Sequence, residues 1–367
     1  MNMPGRQVGN AFQEAARSNG YGRGLISALI GVLIGVFGLL LSSGAALAQI
    51  SPATNASPDE WKTIVAAAHK EGSANLYGSI SPEKLDEIKA DFQKVYPGIR
   101  LEAVRFSSGP IITKLDQERQ TGADGADVMV STEVVWIEDR IREGVIKAPV
   151  GPSAATWPAR FTLASVAPVL AMEPIIIAYN TREVKTPITG YRDLLNPELR
   201  GKIGMLDLVA SIVVAYYDWI DKGQGGNYIS RLGTQQPKIY TSSPTGGQSV
   251  ASGETPIILF VNPASVLPLI KLGAPVKMVF PNPSFANRLV GGVLGWAKRP
   301  NSAQVLMDYL MSTRGQTVWN KTGDSASALP NIPGALDSKT LDLVDLRSYD
   351  REAVNAYRVR FSTLFKK

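Results

Sequence analysis

The sequence predicts an α/β protein built as two lobes, and three observations point to that class. The chain has 367 residues, which is more than a single hydrophobic core usually serves. Strand, loop and helix patterns alternate along it, which predicts parallel sheets covered by helices on both faces. A Pro-, Ala- and Ser-rich break over residues 149–168 separates two halves that follow the same plan. We therefore expect one sheet in each half.

The first 48 residues form a leader of the secretory type. Three arginines precede an apolar run over residues 25–41, and the sequence Ala46-Leu47-Ala48 follows it. A basic region, a hydrophobic region and a small-x-small site together describe a signal peptide that is cleaved after Ala48. The alternative is an uncleaved anchor, because the apolar run is near the upper length of the hydrophobic region of a signal peptide. We expect an exported protein of residues 49–367.

Composition excludes several classes of protein. Hydrophobic residues make up 44% and charged residues 19% of the chain, as in globular proteins. Cysteine is absent, which excludes disulfides, thiolate catalysis and Cys-ligated zinc. The single histidine, His69, makes Ser-His-Asp catalysis and multi-histidine metal sites unexpected. The formal net charge is +6 without a basic cluster that carries aromatics, so nucleic acid is not an expected partner.

The first half shows strand–helix units after an opening helix. Residues 57–60 (Ser, Pro, Asp, Glu) form a capping box, and the helix that they open is expected to run through Glu71. The expected strands are 74–77, 99–106 and 126–130. Helices are expected over 82–96, from 108 to about 120, and from 133 onward through Trp136.

The second half repeats this plan. Its expected strands are 173–180, 201–206, 239–242 and 256–261. Helices are expected to begin near Ser211, after Gln248 and after Ser265. In sheets of this kind, ligands bind where loops leave the carboxyl ends of the strands. The loops that follow strands in both halves are therefore the expected binding site.

Ser, Thr, Gly and Asn recur in these loops immediately before helices. Backbone N–H groups at a helix N-terminus are unpaired and carry partial positive charge, so several termini facing one cleft can bind an anion. Arg105 and Arg288 could add charge-assisted bonds to a carboxylate or phosphate. The alternative for each polar residue is ordinary helix capping. The expected ligand-binding residues are Ser79, Ser107, Ser108, Ser131, Thr132, Ala210, Ser211, Thr245, Gly246, Gly247, Asn262 and Arg288.

The sequence shows no pairing of a nucleophile with a base, so no catalytic residue, metal ligand or cofactor is expected. Glu133 could pair with a ligand amine, although a Glu in a first helical turn is usually stabilised by the helix dipole. Tyr216 and Tyr217 resemble a paired-phenolate iron site, but neighbouring residues of a helix point about 100° apart. We therefore expect both tyrosines to have a packing role.

Motifs spread over nearly all of residues 49–367 give a resemblance to a known family. They are residues 76–79 (LYGS), 126–129 (ADVM), 177–181 (IAYNT), 193–204 (DLLNPELRGKIG) and 250–257 (VASGETPI). Residues 303–316, which include YLMSTRGQ, are the most characteristic segment. In this order and spacing, the chain resembles periplasmic solute-binding proteins of ABC importers, in the branch that includes ferric-ion-binding proteins.

The resemblance implies a type II periplasmic-binding-protein clamshell. Each lobe would be a mixed sheet flanked by helices, and the chain would cross between the lobes more than once. Residues 49–168 and 277–318 would form lobe 1, and residues 169–276 and 319–367 would form lobe 2. A ligand in the cleft would close the lobes, because contacts to both favour the closed state. The resemblance also implies a monomer in the periplasm that delivers its ligand to an ABC permease.

One departure from the family bears on the ligand. Ferric-binding members are similar in carrying two adjacent tyrosines shortly after the strand that corresponds to residues 257–261. Ala264 and Ser265 stand at those positions, and neither supplies the anionic oxygen that a hard trivalent cation needs. Members without the tyrosines look like binders of small organic molecules. The leading hypothesis is a receptor for a small organic anion, such as a phosphonate, sugar phosphate or carboxylate.

Several alternatives stay open. A cationic ligand such as a polyamine or thiamine would need carboxylates and aromatics, for which Glu133, Asp207 and Trp136 are candidates. Ferric iron could bind as a complex or together with an anion such as bicarbonate. The same fold could serve as the ligand sensor of a two-component kinase, and an exported enzyme is the last alternative.

Overall fold

The computed structural model describes residues 55–208, 210–349 and 351–365, so the expected leader lies outside the described residues. Within the described ranges, no helix is long and apolar enough to cross a membrane.

The strands are β1 (Ser73–Gly78), β2 (Arg100–Arg105), β3 (Val128–Ser131), β4 (Ile146–Lys147), β5 (Thr162–Leu163), β6 (Ala167–Pro174), β7 (Ile176–Asn180), β8 (Ile203–Leu206), β9 (Lys238–Tyr240), β10 (Ile257–Val261), β11 (Val276–Val279), β12 (Ser284–Leu294) and β13 (Leu341–Asp342).

The helices follow the sequence signals for helix starts and ends. They are α1 (Pro58–Glu71), α2 (Pro82–Val95), α3 (Ser108–Thr121), α4 (Val134–Arg142), α5 (Pro152–Ala155), α6 (Ser211–Gly223), α7 (Tyr228–Gly233), α8 (Ser243–Ser252), α9 (Pro263–Lys271), α10 (Pro300–Met311), α11 (Thr313–Asn320) and α12 (Arg351–Phe365). The predicted capping box of α1 is present, because Ser57 and Glu60 each bond to the other's backbone N–H. Gly72 ends this helix in the left-handed conformation, with φ of 70°.

The first sheet has the strand order β2-β1-β3-β12-β6-β5, with β4 and β13 also paired to β12. β1 pairs in parallel with β2 and β3, whereas β12 runs antiparallel to β3 and β6. The carboxyl ends of β1, β3 and β6 therefore meet the beginning of β12 at one edge of the sheet. We call this sheet, together with α1–α5, α10 and α11, the first lobe.

The second sheet has the strand order β11-β7-β10-β8-β9. β8 pairs in parallel with β9 and β10, and β7 runs antiparallel to β10 and β11. The carboxyl ends of β8, β9 and β10 lead into α6, α8 and α9, so these three helices begin at one edge. We call this sheet, with α6–α9 and α12, the second lobe. The predicted α/β class, with two mixed sheets flanked by helices, is confirmed.

The chain crosses between the sheets later than the expected boundaries. The apolar run that predicts one strand over 173–180 is two strands, because β6 pairs with β12 in the first sheet and β7 pairs with β10 in the second. The crossing falls at Ile175, whose N–H donates to the Phe285 carbonyl over 2.7 Å. The return crossing lies between β11 and β12, after the expected boundary at residue 276. A continuous apolar run carries no sign of a change of sheet, which explains the first shift.

The segment after α11 is shared between the lobes instead of lying wholly in the second. Ala326 bridges Met172 of β6, and β13 pairs with β12, so residues up to 342 continue the first lobe. Residues 343–349 then cross to the second lobe, where α12 packs on α6 through the stacked rings of Phe361 and Tyr217, 5.7 Å apart. The expected assignment of residues 319–367 to lobe 2 therefore differs from the strand pairing for residues 319–342.

Tyr216 and Tyr217 lie in the core of the second lobe, as the helical pattern predicts. Both are fully buried. Tyr216 Oη donates to the Leu259 carbonyl over 2.9 Å, and Tyr217 Oη contacts the Leu206 carbonyl at 3.0 Å. Burial raises the pKa of both phenols, so they are neutral. The packing role is confirmed.

Candidate functional site

Ser108 and Thr132, two of the predicted site residues, are in direct contact at the edge of the first sheet. Ser108 begins α3, and Thr132 directly follows β3. Their hydroxyl oxygens are 2.8 Å apart, so one hydroxyl donates to the other. A serine or threonine hydroxyl has one hydrogen, so the accepting hydroxyl keeps its hydrogen for another acceptor. This pair lies at the positive end of a 14-residue helix.

The other predicted serines of the first lobe differ in whether their hydroxyl groups are already hydrogen-bonded within the protein. Ser79 is committed to the sheet, because its N–H and its hydroxyl both donate to the Val130 carbonyl, at 2.9 and 3.3 Å. Ser131 is fully buried, and its hydroxyl accepts from the Glu133 N–H over 3.2 Å. Ser107 is the exposed N-cap of α3, and its side chain makes no capping bond. The open hydroxyls at this edge are thus those of Ser107, Ser108 and Thr132.

One small pocket is lined by residues of both lobes. Thr132 and Asn287 line it from the first lobe, and Ile212 in the first turn of α6 lines it from the second. α6 begins after Ala210, whose extended backbone (φ −137°, ψ 151°) makes it the N-cap although its methyl group cannot cap. Ser211, the first helical residue, is exposed. The N-terminus of α6 therefore lies opposite Thr132 without a side-chain cap.

Thr245, Gly246 and Gly247 do not form the open donor loop that the sequence predicts. Ser242 caps α8 earlier in the chain, so all three residues are helical. The Thr245 hydroxyl donates to the Ser242 carbonyl over 2.8 Å, and the Gly246 N–H donates to the same carbonyl over 3.1 Å. A Cβ at Gly246 would lie 2.9 Å from Ile258, and one at Gly247 would lie 3.1 Å from the Ser265 carbonyl oxygen. These glycines allow close packing of α8 against β10 and α9.

Asn262 joins the N-termini of α8 and α9. Its Oδ1 accepts from the hydroxyls of Ser243, over 3.3 Å, and Ser265. The two hydroxyl oxygens are 3.0 Å apart, and the Asn262 N–H donates to Ser243 Oγ over 3.2 Å. The predicted backbone donor is therefore already bonded, and Oδ1 is saturated. The amide nitrogen of the Asn262 side chain is left to donate to another partner.

Glu173, which is not among the predicted site residues, faces Asn262 from the other lobe. It stands near the end of β6, and its side chain is half-buried. The pKa of Glu173 is raised to about 7, chiefly by burial and also by the Asp324 carboxylate, although Lys84 and the hydrogen bond from the Asn262 side chain lower it. The signal for this residue is a single charged side chain inside the apolar run of residues 169–180.

Two further acceptor groups lie at the same edge. Asn287 pairs with Glu173 across β12 and β6, and its buried Oδ1 has no hydrogen-bond partner among the described residues. Glu133, the N-cap of α4, is half-buried, and burial raises the pKa of its carboxyl group. The edge between the lobes thus offers both hydroxyl and helix-terminal donors and carboxylate and amide acceptors.

Arg288 is held by the chain itself. Its Nη2 donates to the carbonyl oxygens of Leu343 and Val344, at 2.7 and 3.3 Å, so it fastens residues 343–349, the third crossing between the lobes, to β12. Burial lowers the pKa of this guanidinium, which stays charged because its ordinary pKa is so high. Arg288 lines the same small pocket as Thr132. Arg105, at the end of β2, is exposed.

This fold and this edge between two lobes belong to a known class of receptor. Residues 74–323 match the family described as bacterial extracellular solute-binding protein, which is more than half of the chain, so the chain belongs to that family. Its members are substrate-binding receptors of ABC transporters, which indicates a periplasmic location and a small-molecule ligand. No curated protein matches the chain at a significant level.

Solved structures share the fold at low sequence identity. The substrate binding protein of an ABC transporter from Agrobacterium tumefaciens has a TM-score of 0.70 and 18% identity, covering 82% of this chain and 97% of its own. AfuA from Actinobacillus pleuropneumoniae, with fructose-6-phosphate bound, has a TM-score of 0.62, 19% identity and coverages of 80% and 99%. Iron-bound HitA from Pseudomonas aeruginosa has a TM-score of 0.61, 16% identity and coverages of 80% and 99%. The predicted resemblance to periplasmic solute-binding proteins is confirmed in family and fold.

Proposed function

We propose that the protein captures a small organic anion, such as a phosphonate, sugar phosphate or carboxylate, between its two lobes for delivery to an ABC permease. The observation that carries this proposal is the hydroxyl pair of Ser108 and Thr132, 2.8 Å apart at the N-terminus of α3. Thr132 shares a pocket with Ile212 in the first turn of α6. Two helix N-termini and a free hydroxyl hydrogen together suit an oxyanion.

The relatives support an organic ligand. AfuA is described with fructose-6-phosphate bound, and HitA is described with iron bound. At the positions where ferric-binding members carry tyrosines, this chain has Ala264 and Ser265, and the Ser265 hydroxyl already donates to Asn262. Among the described residues, no group of three or more His, Asp or Glu side chains could hold a metal ion. Direct iron coordination therefore has little support.

The transport cycle that we propose uses the crossings between the lobes as a hinge. An anion bound to Thr132 and to the start of α6 would contact both lobes, and it would therefore favour the closed state. The leader of residues 1–48 would direct export and be removed, leaving a periplasmic monomer. A complex with the ectodomain of a sensor kinase, in place of a permease, would mean a signalling role for the same fold.

A second candidate function is capture of a cationic ligand. The observation that favours it is the set of acceptors at the same edge, since Glu173, Glu133 and Asn287 Oδ1 could receive hydrogen bonds from an amine. Glu173 is neutral for part of the time near pH 7, because its pKa is about 7. This weakens the attraction of that carboxyl for a cation, so we place the anion first.

A ligand panel tests the proposal. Residues 49–367 are mixed with phosphonates, sugar phosphates, carboxylates, polyamines and ferric citrate, and thermal shift and native mass spectrometry report binding. A ligand at a hundred times its dissociation constant is expected to add about 2.7 kcal/mol to the stability of the folded state. In the double variant Ser108→Ala/Thr132→Val, each lost bond to a charged group is expected to cost about 1 to 3 kcal/mol of binding free energy. Most of the stabilisation should then disappear.

The matched control is Ser362→Ala/Thr363→Val, which removes two neighbouring exposed hydroxyls of α12. This control should keep the full stabilisation by the anion. Stabilisation by amines alone would favour the second candidate. An anion that stabilises the wild type and the Ser108/Thr132 variant equally would contradict the assigned site but not the receptor function.

A further inference from the structure

We propose a second anion-binding site in a pocket that adjoins the small pocket of Thr132 and shares Arg288 with it, and that takes a small multivalent anion with phosphate or carboxylate groups. The site is a pocket of ≈ 630 Å³. Its polar lining is dominated by four guanidinium groups. They belong to Arg142, Arg160, Arg288 and Arg347.

The pocket is formed where four parts of the chain meet. α4 contributes Arg142, and the residues just before β5 contribute Arg160. β12 contributes Arg288, and the third crossing contributes Arg347. Because these parts are far apart in the sequence, no run of basic residues marks the pocket in the sequence. The fold alone gathers the four side chains.

The charges in the pocket are not balanced. Arg142 is paired with Asp139, and Arg347 is paired with Asp345 over 2.6 Å. Arg160 and Arg288 have no carboxylate within 4.0 Å among the described residues. The pocket wall itself carries one acidic side chain, Glu138, which lies 4.0 Å from Arg347. Arg160 and Arg288 thus make no direct ion pair in a concave site, although the carboxylates of Asp345 and Glu138 are near enough to act on the charge of Arg288.

The two unpaired guanidinium groups are held in place. Arg160 lies over the ring of Phe161, with its Cζ 4.7 Å from the ring centroid. Arg288 is half-buried, and only its Nη2 is used, in bonds to the Leu343 and Val344 carbonyl oxygens. Its Nε and Nη1 have no hydrogen-bond acceptor among the described residues, which leaves donors for an incoming oxyanion. Fixed guanidinium groups bind carboxylate and phosphate in bidentate geometry.

The expected ligand is a multivalent anion because several guanidinium groups surround one space. A monovalent carboxylate could satisfy one of them. A phosphate or a di- or tricarboxylate could bridge Arg160 to Arg288 and still approach Arg347. This site does not depend on the proposed function, since Arg288 is the only pocket residue among those predicted for the ligand site.

The test is calorimetric titration of residues 49–367 with inorganic phosphate, citrate and acetate. Citrate and phosphate are expected to bind at one saturable site, with acetate much weaker. Arg160→Gln should weaken the binding of citrate and of phosphate by about tenfold, because one hydrogen bond to a charged group is lost. The matched control is Arg182→Gln, which removes an exposed arginine of the second lobe. The affinity of this variant for citrate and phosphate should stay within twofold of the wild-type value.

Folding and the ligand site are controlled separately. Arg160 is exposed, so Arg160→Gln should keep the thermal midpoint of the wild type in the absence of anions. Ser108→Ala/Thr132→Val should bind citrate as the wild type does. Absence of saturable binding would overturn the proposal, and so would equal weakening by Arg160→Gln and Arg182→Gln. Citrate binding that is lost in the Ser108/Thr132 variant alone would also overturn it, because the anion would then occupy the edge between the lobes.

Discussion

Asp324→Asn is expected to lower the free energy of unfolding by about 3 to 5 kcal/mol. Lys84 on α2 and Asp324, shortly after α11, are each only about 5% exposed. Lys84 Nζ lies 2.7 and 2.8 Å from the two carboxylate oxygens and 2.6 Å from the Trp319 carbonyl oxygen. Removing the carboxylate charge leaves a buried ammonium group beside the Trp319 carbonyl oxygen and the Glu173 carboxyl group, and Glu173 is protonated for part of the time near pH 7. Equilibrium unfolding in urea measures the loss.

Two comparisons separate this effect from a general loss of charge. Asp59→Asn breaks the ion pair with Lys62, in which the Asp59 side chain is 92% and the Lys62 side chain 77% exposed. This change should lower the free energy of unfolding by less than about 1 kcal/mol. Lys84→Met/Asp324→Asn removes both buried charges and should be more stable than Asp324→Asn alone. If Asp324→Asn costs no more than Asp59→Asn, water reaches the pair and the buried-charge account is wrong.

Glu173→Gln is expected to remove a pH dependence of stability that the wild type shows between about pH 4.5 and 7. The pKa of Glu173 is about 7 in the folded protein and 4.5 ordinarily, so the folded state binds the proton more tightly. The favourable contribution of this group is complete below about pH 4.5 and is lost as the pH rises through about 7. Glutamine is neutral throughout, so the variant should gain roughly 3 kcal/mol relative to the wild type across this range.

Urea unfolding at a series of pH values checks the sign and the size. Glu183→Gln, which removes an exposed carboxyl group of the second lobe, serves as the control for the loss of one negative charge. The groups that act on Glu173 are Asp324, Lys84 and Asn262, and they are unchanged in both variants. A constant difference between the wild type and Glu173→Gln at all pH values would mean that water solvates the Glu173 carboxylate in the folded state.

The sequence predicts the elements well because their signals are local. The capping box of α1 and the start of α2 at Pro82 depend on neighbouring residues. The class of the fold follows from the alternation of strands and helices. The crossing at Ile175 could not be predicted, because a continuous apolar run looks the same in either sheet. The position of the crossing after β11 depends on the pairing of β11 with β7, which the sequence does not show.

The candidate site is predictable only in part. Ser108 and Thr132 are both selected from their loops, but their contact depends on two strands that have β1 between them. Gly246 and Gly247 are predicted to lie in a loop, because a glycine pair is typical of loops. They lie instead inside α8, whose N-cap is Ser242. Glu173 is missed because its role depends on Asn262, which belongs to the other lobe.

Hydrogen–deuterium exchange of the anion complex tests the central claim most directly. The claim is that one small organic anion contacts both lobes. We predict slower exchange on addition of the anion in residues 108–112 and 132–136 of the first lobe and in residues 211–215 of the second. Protection confined to one lobe, or confined to residues 138–142 and 160–164 of the arginine pocket, would contradict the claim.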